Sequence, residues 1–302
     1  MTVLIVNHSK ENCGVYQFGK RVANLAMKST KVNFKYVEIN SMNELSVEVA
    51  NSNPTHILYN WYPVTMEWLG ENYIQTHPEM KHYFLFHDGH MRQNYDKYIF
   101  SGSIGKDINL PPEKTIVLPR PLFSYTGTYP TNTIPTIGSF GFGGWQKGFP
   151  DITKYVAQSF SKAIVNILMP FAYYGDRDGV ETRKIAEHCH ALNTYPGIEL
   201  NIKHDFCSDE EVLTFLAGND LNIFLYVSSN QGLSSVIDYA LSVKRPIAIR
   251  NDSMFKHIYK DEICVDSFSI KDIIENGTTP LQEYYNRWSQ EKFIAEIEEL
   301  FV

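Results

Sequence analysis

Residues 219–249 read NDLNIFLYVSSNQGLSSVIDYALSVKRPIAI, and their order decides the fold. The apolar run Ile223–Val227 reads as a buried strand. It passes into a polar loop, Ser228–Gly232, and the pattern predicts a helix opening at Leu233-Ser234-Ser235 and running through Ala240. Pro246–Ile249 reads as the next strand. A strand that feeds a small-residue loop and then a helix start directs free backbone N–H groups at one spot, which makes an anion site. Asp238, eight residues after Asn230, sets a carboxylate behind the same loop. The implied ligand carries both phosphate and hydroxyls.

The same alternation extends to both sides. Upstream, Thr136–Phe140 predicts a strand, followed by the loop Gly141-Phe142-Gly143-Gly144, a helix over Asp151–Phe160 and a strand over Ala163–Met169. A helix over Arg183–Leu192, a strand over Ile198–Lys203 and a helix over Asp209–Ala217 follow. The first half repeats the scheme. It has strands at Val3–Asn7, Val32–Ile39, His56–Trp61, His82–His87 and Thr115–Pro119, with helices at Gly14–Ser29, Glu44–Asn51 and Met66–Thr76. Leu122–Pro135, rich in Pro, Thr, Tyr and Gly and without a period, reads as a linker. Late helices are expected at Ile270–Ile274 and, as one long amphipathic element, Leu281–Leu300. Alternating strands and helices argue for parallel sheets covered on both faces.

Composition narrows the class. The 302 residues suffice for two domains, and a hydrophobic content of 43% provides for a core. The net charge of −7 argues against a dedicated nucleic-acid binder. Residues 1–40 run the other way, with an excess of four positive charges. A solvated helix face is the plain reading of that excess; an acidic acceptor or a peripheral membrane contact is the sharper one. The four cysteines are scattered without a CxxC, so neither a zinc site nor a disulfide framework is indicated. A first segment reading TVLIVN is strand-like and too short for a signal peptide, and no apolar run reaches the ~20 residues that span a membrane. The expected location is cytoplasmic.

The loop after Thr136–Phe140 reads G-F-G-G-W-Q-K-G, with Lys147 as its cation. Taken with the later stretch, this resembles the donor domain of GT-B glycosyltransferases, and most of all glycosyltransferase family 4. That family shows G-R-x-x-x-x-K-G after a strand, and later a loop carrying two glutamates eight residues apart. Gly141, Lys147 and Gly148 match the first motif, with Phe142 in the arginine position. Ser228 or Ser229 matches the start of the second motif. Asn230 stands where its first glutamate would be and Asp238 where its second would be. The resemblance covers most of residues 136–260.

It implies roles for named residues. Lys147 and the amides of Ser234 and Ser235 would stabilise the charge that grows on a departing nucleoside diphosphate. Gly141 and Gly143 would admit phosphate to the backbone. Asp238 would accept ribose hydroxyls, Asn230 would lie near the donor sugar, and Phe206 would flank the base. Arg120 would replace the missing arginine, the plainer alternative being an ion pair. In the first half, His87-Asp88-Gly89-His90 follows a strand, where the family often has a His near the donor sugar. There His87 would touch the sugar and Asp88 would orient it or bind an acceptor hydroxyl. Gly14, at the start of its helix, would approach donor phosphate or acceptor. Cys13 beside it lacks a His partner. Asp176-Arg177-Asp178 is formally a DxD, a chance pattern in a solvated loop as its plain reading and a metal site as its rival.

The expected fold is thus α/β of GT-B type, two doubly wound Rossmann-like domains facing across a cleft. They comprise an acceptor-side domain over 1–125 and a donor-binding domain over 136–280, with a C-terminal helix over 281–302 crossing back. The expected activity is transfer of a sugar from a nucleotide-sugar donor of unspecified base to a glycan, lipid-linked or protein hydroxyl. Retention and independence of metal are implied by the resemblance, and no cofactor is expected. A non-catalytic nucleotide-sugar or glycan-binding protein and a sugar-nucleotide epimerase are the alternatives.

Overall fold

A computed structural model describes residues 1–87, 96–101, 112–227 and 232–302. The chain divides into two compact units. The first is Met1–Pro121 with Gln231–Leu233 and Arg287–Val302, and the second is Leu122–Asn230 with Ser234–Asn286.

The first unit is built on six strands: β1 (Thr2–Asn7), β2 (Asn33–Glu38), β3 (His56–Trp61), β4 (Lys81–Phe86), β5 (Lys97–Ser101) and β6 (Thr115–Leu118). They pair in parallel in the order β2-β1-β3-β4-β5-β6. The sheet is buried on both faces, so its central strands are apolar throughout rather than alternating. On β1, Val3 and Ile5 join one core cluster with Phe18 and Val22, while Leu4 and Val6 join another with Ile57 and Phe84. Helix α1 (Gly14–Ala26) covers the first face with Phe18, Val22 and Leu25. Helix α2 (Met42–Ser52) and the short α3 (Glu71–Thr76) accompany the second.

The second unit has five parallel strands: β7 (Thr136–Phe140), β8 (Ala163–Leu168), β9 (Ile198–Lys203), β10 (Leu221–Phe224) and β11 (Ile247–Ile249), in the order β11-β10-β7-β8-β9. Helices α4 (Ile152–Ser159), α5 (Val180–Leu192), α6 (Asp209–Ala217), α7 (Val236–Ser242), α8 (Ile270–Asn276) and α9 (Gln282–Arg287) belong to this part of the chain. Ile137, Val165, Ile223 and Ala248 are wholly buried beneath Ile152, Val156 and Ile273. Ser208 starts α6 with a complete capping box to Glu211, which satisfies two otherwise orphaned N–H groups.

Strand order sets where a ligand can sit. In the first sheet the chain leaves β1 for β2 on one side and returns to β3 on the other. In the second it leaves β7 for β8 and returns to β10 beyond β7. Such reversals open a crevice at the carboxyl ends of the flanking strands. Asn7 ends β1, Asn60 lies next to the end of β3, and Phe140 ends β7.

The structure departs from the sequence expectations in four places. Lys97–Ser101 is a strand that the periodicity does not predict. The helix expected over Met66–Thr76 is confined to Glu71–Thr76, because Tyr62–Leu69 closes a series of turns instead. The strand read at Ile223–Val227 is Leu221–Phe224, and the following helix begins at Val236 rather than at Leu233. The single helix expected over Leu281–Leu300 is two, α9 and α10 (Gln290–Glu299). Ser289 is extended at the break, and its hydroxyl accepts from Lys292 N–H, capping a new helix. Phe293 and Ile297 of α10 are wholly buried in the first unit's core.

Candidate functional site

At the reversal of the second sheet, Lys147 sits in a 3-10 turn that Gly148 ends with φ +68°. A β-carbon on Gly148 would lie 1.8 Å from the carbonyl oxygen of Leu225, so only glycine lets this loop press against the chain leaving β10. The Lys147 ammonium donates to the Tyr226 hydroxyl at 2.9 Å and lies 4.1 Å from the centre of its ring. A cation over an aromatic face and bonded to its hydroxyl is held in place. The Ser234 hydroxyl donates to the same Tyr226 oxygen at 3.0 Å. Tyr226 is buried against Phe255. Gly141 lies nearby, since a β-carbon there would stand 3.7 Å from the Tyr226 hydroxyl. Lys147, Ser234 and Gly141 therefore converge, and Tyr226, unmarked by any motif, is what they converge on.

Three of the amides expected at this site bond to carbonyls of the second unit. Gly141 N–H donates to Leu168, Gly143 N–H to Pro170, and Ser234 N–H to Met254. Gly143 is further accounted for by packing, because a β-carbon would fall 2.0 Å from Thr182 Oγ1. Beside these committed amides the second unit places the Lys147 cation and the Tyr226 hydroxyl. Ser235 is the residue before α7, and its carbonyl accepts from Asp238 N–H. Asp238 is fully buried within α7. Phe206 is exposed, and its ring is nearly parallel to that of Phe142, at 16° with centres 6.4 Å apart.

The DxD is a capping device. Asp176 accepts from the N–H groups of Glu181 and Thr182 and from the Thr182 hydroxyl, so it closes the start of α5. Among the described residues no group of three His, Cys, Asp or Glu side chains is placed to hold a metal ion.

The first unit assembles a different cluster at its own reversal. His87 Nε2 lies 2.7 Å from Asn60 Oδ1. Asn60 Nδ2 donates to Asn7 Oδ1 at 2.7 Å and to the Val15 carbonyl at 2.8 Å. Asn7 Nδ2 donates to the Tyr16 carbonyl, and its Oδ1 accepts from His8 N–H. The carboxyl ends of β1, β3 and β4 and the first turn of α1 are tied together by these side chains. Phe18 packs edge-on against His87, and the buried Arg120 lies over the same Phe18 ring, 5.0 Å from its centre. Burial, then Arg120 and His8, push the His87 pKa down to about 3. Burial likewise brings His8 down to about 4, against a smaller upward pull from Glu38. Both rings are neutral at pH 7.

Arg120 thus stands beside His87 in the first unit. Gly14 opens α1 with negative φ, and a β-carbon there would meet nothing within 4 Å, so helix entry does not require glycine. Burial raises the Cys13 pKa, which leaves an unreactive thiol. Asp88 and Asn230 lie outside the described residues.

No protein-family profile matches the sequence, and a comparison with curated protein sequences finds no match. Solved structures do match. The chain is similar to sucrose-phosphate synthase from Thermosynechococcus elongatus over 100% of its own length and 98% of that chain, with a TM-score of 0.77 and 10% identity. The fold is GT-B. An E. coli trehalose-6-phosphate structure bound with UDP-2-fluoro glucose is similar over 99% of each chain, with a TM-score of 0.59 and 10% identity. TarM is similar with a TM-score of 0.56 and 12% identity, and this GT-B chain spans 54% of its length. Identities of this size carry the fold alone. No helix among the described residues is long and apolar enough to cross a membrane.

Proposed function

We propose that this chain is a glycosyltransferase that moves a sugar from a nucleotide-sugar donor to a hydroxyl acceptor, in the manner of the family 4 enzymes its motifs resemble. The observation that carries this reading is the Lys147 ammonium fixed on Tyr226 beside the Ser234 hydroxyl, at the reversal of the second sheet. Cleaving a sugar–phosphate bond loads charge onto the departing diphosphate, and a preset cation lowers that barrier. An ammonium has three N–H donors, and Tyr226 takes one of them. The parallel rings of Phe142 and Phe206 suit a nucleobase, and a base–aromatic stack is worth ~1–3 kcal/mol. In the first unit, His87 and its neighbours supply contacts for carbohydrate hydroxyls. Retention at the anomeric carbon and independence of metal belong to the same proposal.

UDP is the first nucleotide to test, because the E. coli neighbour binds a UDP-sugar. Calorimetry of the chain with UDP, GDP and ADP is expected to show one preferred nucleotide, and slow hydrolysis of the matching nucleotide sugar. Absence of binding by all three removes the reading. Binding without turnover on any acceptor favours the non-catalytic alternative, which Phe142 in a normally cationic position supports. Interconversion of free UDP-sugars would instead indicate an epimerase.

A further inference from the structure

We propose that Asn60 is a positioning residue that holds His87 as the neutral imidazole protonated on Nε2, leaving Nδ1 as a bare hydrogen-bond acceptor. The assignment follows from a chain of hydrogen bonds anchored on the backbone. Asn7 has one orientation, because its Oδ1 receives the His8 N–H at 3.0 Å and its Nδ2 faces the Tyr16 carbonyl at 3.0 Å. A backbone N–H only donates and a carbonyl only accepts. Asn60 is fixed in turn. Its Nδ2 lies between two acceptors, Asn7 Oδ1 and the Val15 carbonyl, and both of its N–H bonds are used there. The atom turned to His87 is therefore Oδ1, which can only accept. At 2.7 Å the partner nitrogen, Nε2, must carry the proton. Nδ1 has no partner among the described residues.

A second observation shows that this amide is built into the fold. Gly19 lies in the middle of α1, where glycine is destabilising relative to alanine. A β-carbon at Gly19 would stand 2.2 Å from Asn60 Nδ2 and 2.4 Å from its Cγ. The helix carries glycine there because the Asn60 side chain occupies the space. Burial, with Arg120 and His8 nearby, keeps the ring neutral. His87 so held cannot serve as a proton donor at neutral pH through either nitrogen; it accepts, through Nδ1. That its guest is a carbohydrate hydroxyl rests on the transferase reading above, whereas the tautomer does not.

The test is a long-range proton–nitrogen NMR correlation on the full chain labelled with 15N-histidine, with His87 assigned by its absence from His87→Gln. The expected spectrum at pH 7 without ligand shows the Nε2-protonated form alone, with a slowly exchanging Nε2 proton. In Asn60→Ser the ring is expected to average between both neutral tautomers and to lose that slow proton. A wild-type ring protonated on Nδ1, an averaged wild-type ring, or an unchanged spectrum in Asn60→Ser overturns the proposal. Should Asn60→Ser fail to fold, the wild-type spectrum decides. Adding UDP-glucose is expected to shift Nδ1 where UDP alone does not. Saturation by UDP-glucose without that shift overturns the acceptor role. Failure of both nucleotides to bind tells instead against the transferase reading, with the tautomer still decided by the free protein.

Discussion

The side chain of Asn60 fills the place that a β-carbon on Gly19 would take, 2.2 Å from its Nδ2. Glycine within a helix ordinarily invites stabilisation by alanine, by ~1 kcal/mol. Here the sign reverses. Gly19→Ala overpacks a buried amide whose hydrogen bonds are all in use, at a cost of ~1–3 kcal/mol. Thermal or denaturant unfolding is expected to show a loss. Asn60→Ser removes the obstruction, so Gly19→Ala is expected to cost less in that background, with a coupling above ~0.5 kcal/mol. Equal effects in both backgrounds would show that the two residues do not compete for space.

Acid is expected to unfold the chain partly through His8 and His87. In the folded state these rings take a proton only near pH 4 and pH 3, with burial as the largest cause for each. In the unfolded chain both titrate near 6.5. Their folded values are depressed, so the unfolded state binds more protons between those limits and stability falls as pH falls. The contribution is complete above about pH 6.5 and is lost on the way down toward 4 and 3. At pH 5 the loss is on the order of 2 kcal/mol per ring. Denaturant midpoints at pH 7.5 and pH 5 check this. The pH slope is expected to flatten in His87→Gln, and an unaltered slope would mean that the ring titrates normally.

Much of the fold is legible in the sequence because the central strands are covered on both faces. Leu4, Val6, Ile5 and Val3 all had to be apolar, and such runs stand out. Lys97–Ser101 is too short and too mixed to do so. The break at Trp288-Ser289 depends on a serine cap inside an otherwise helical pattern. Site residues divide the same way. Lys147, Gly148 and His87 sit in motifs or directly after strands. Asn7, Asn60 and Tyr226 look like ordinary strand-end residues, because their roles come from partners 53 and 79 positions away. Hydrogen bonds of that span leave no local trace. The commitment of the Gly141, Gly143 and Ser234 amides to carbonyls is equally invisible in a glycine count.

Gly14 separates a structural glycine from a functional one. Its backbone needs no positive φ, and a β-carbon meets nothing within 4 Å. Gly14→Ala is therefore expected to be neutral or to stabilise by up to ~1 kcal/mol. If a ligand approaches the start of α1 closely, the same substitution lowers kcat/KM for transfer by about tenfold or more, since each 1.4 kcal/mol of lost binding is a factor of ten. Unfolding and kinetics together make the check. Unchanged kinetics would release Gly14 from the site.

Lys147 and Tyr226 offer a graded test of the donor half-site. Lys147→Ala removes the cation, and a charged hydrogen bond is worth ~1.5–3 kcal/mol, so UDP affinity is expected to fall by about 10- to 100-fold. Tyr226→Phe keeps the ring beneath the ammonium and deletes only the oxygen that Lys147 and Ser234 share. That oxygen places the ammonium and is not itself read as a nucleotide contact, so the loss is expected to be smaller than in Lys147→Ala, about tenfold or less. The double variant should bind no worse than Lys147→Ala alone, because the hydroxyl acts by placing the ammonium. Calorimetry with UDP reads all three. Additive losses would mean that Tyr226 contacts the nucleotide itself, and no loss in Lys147→Ala would move the phosphate site elsewhere.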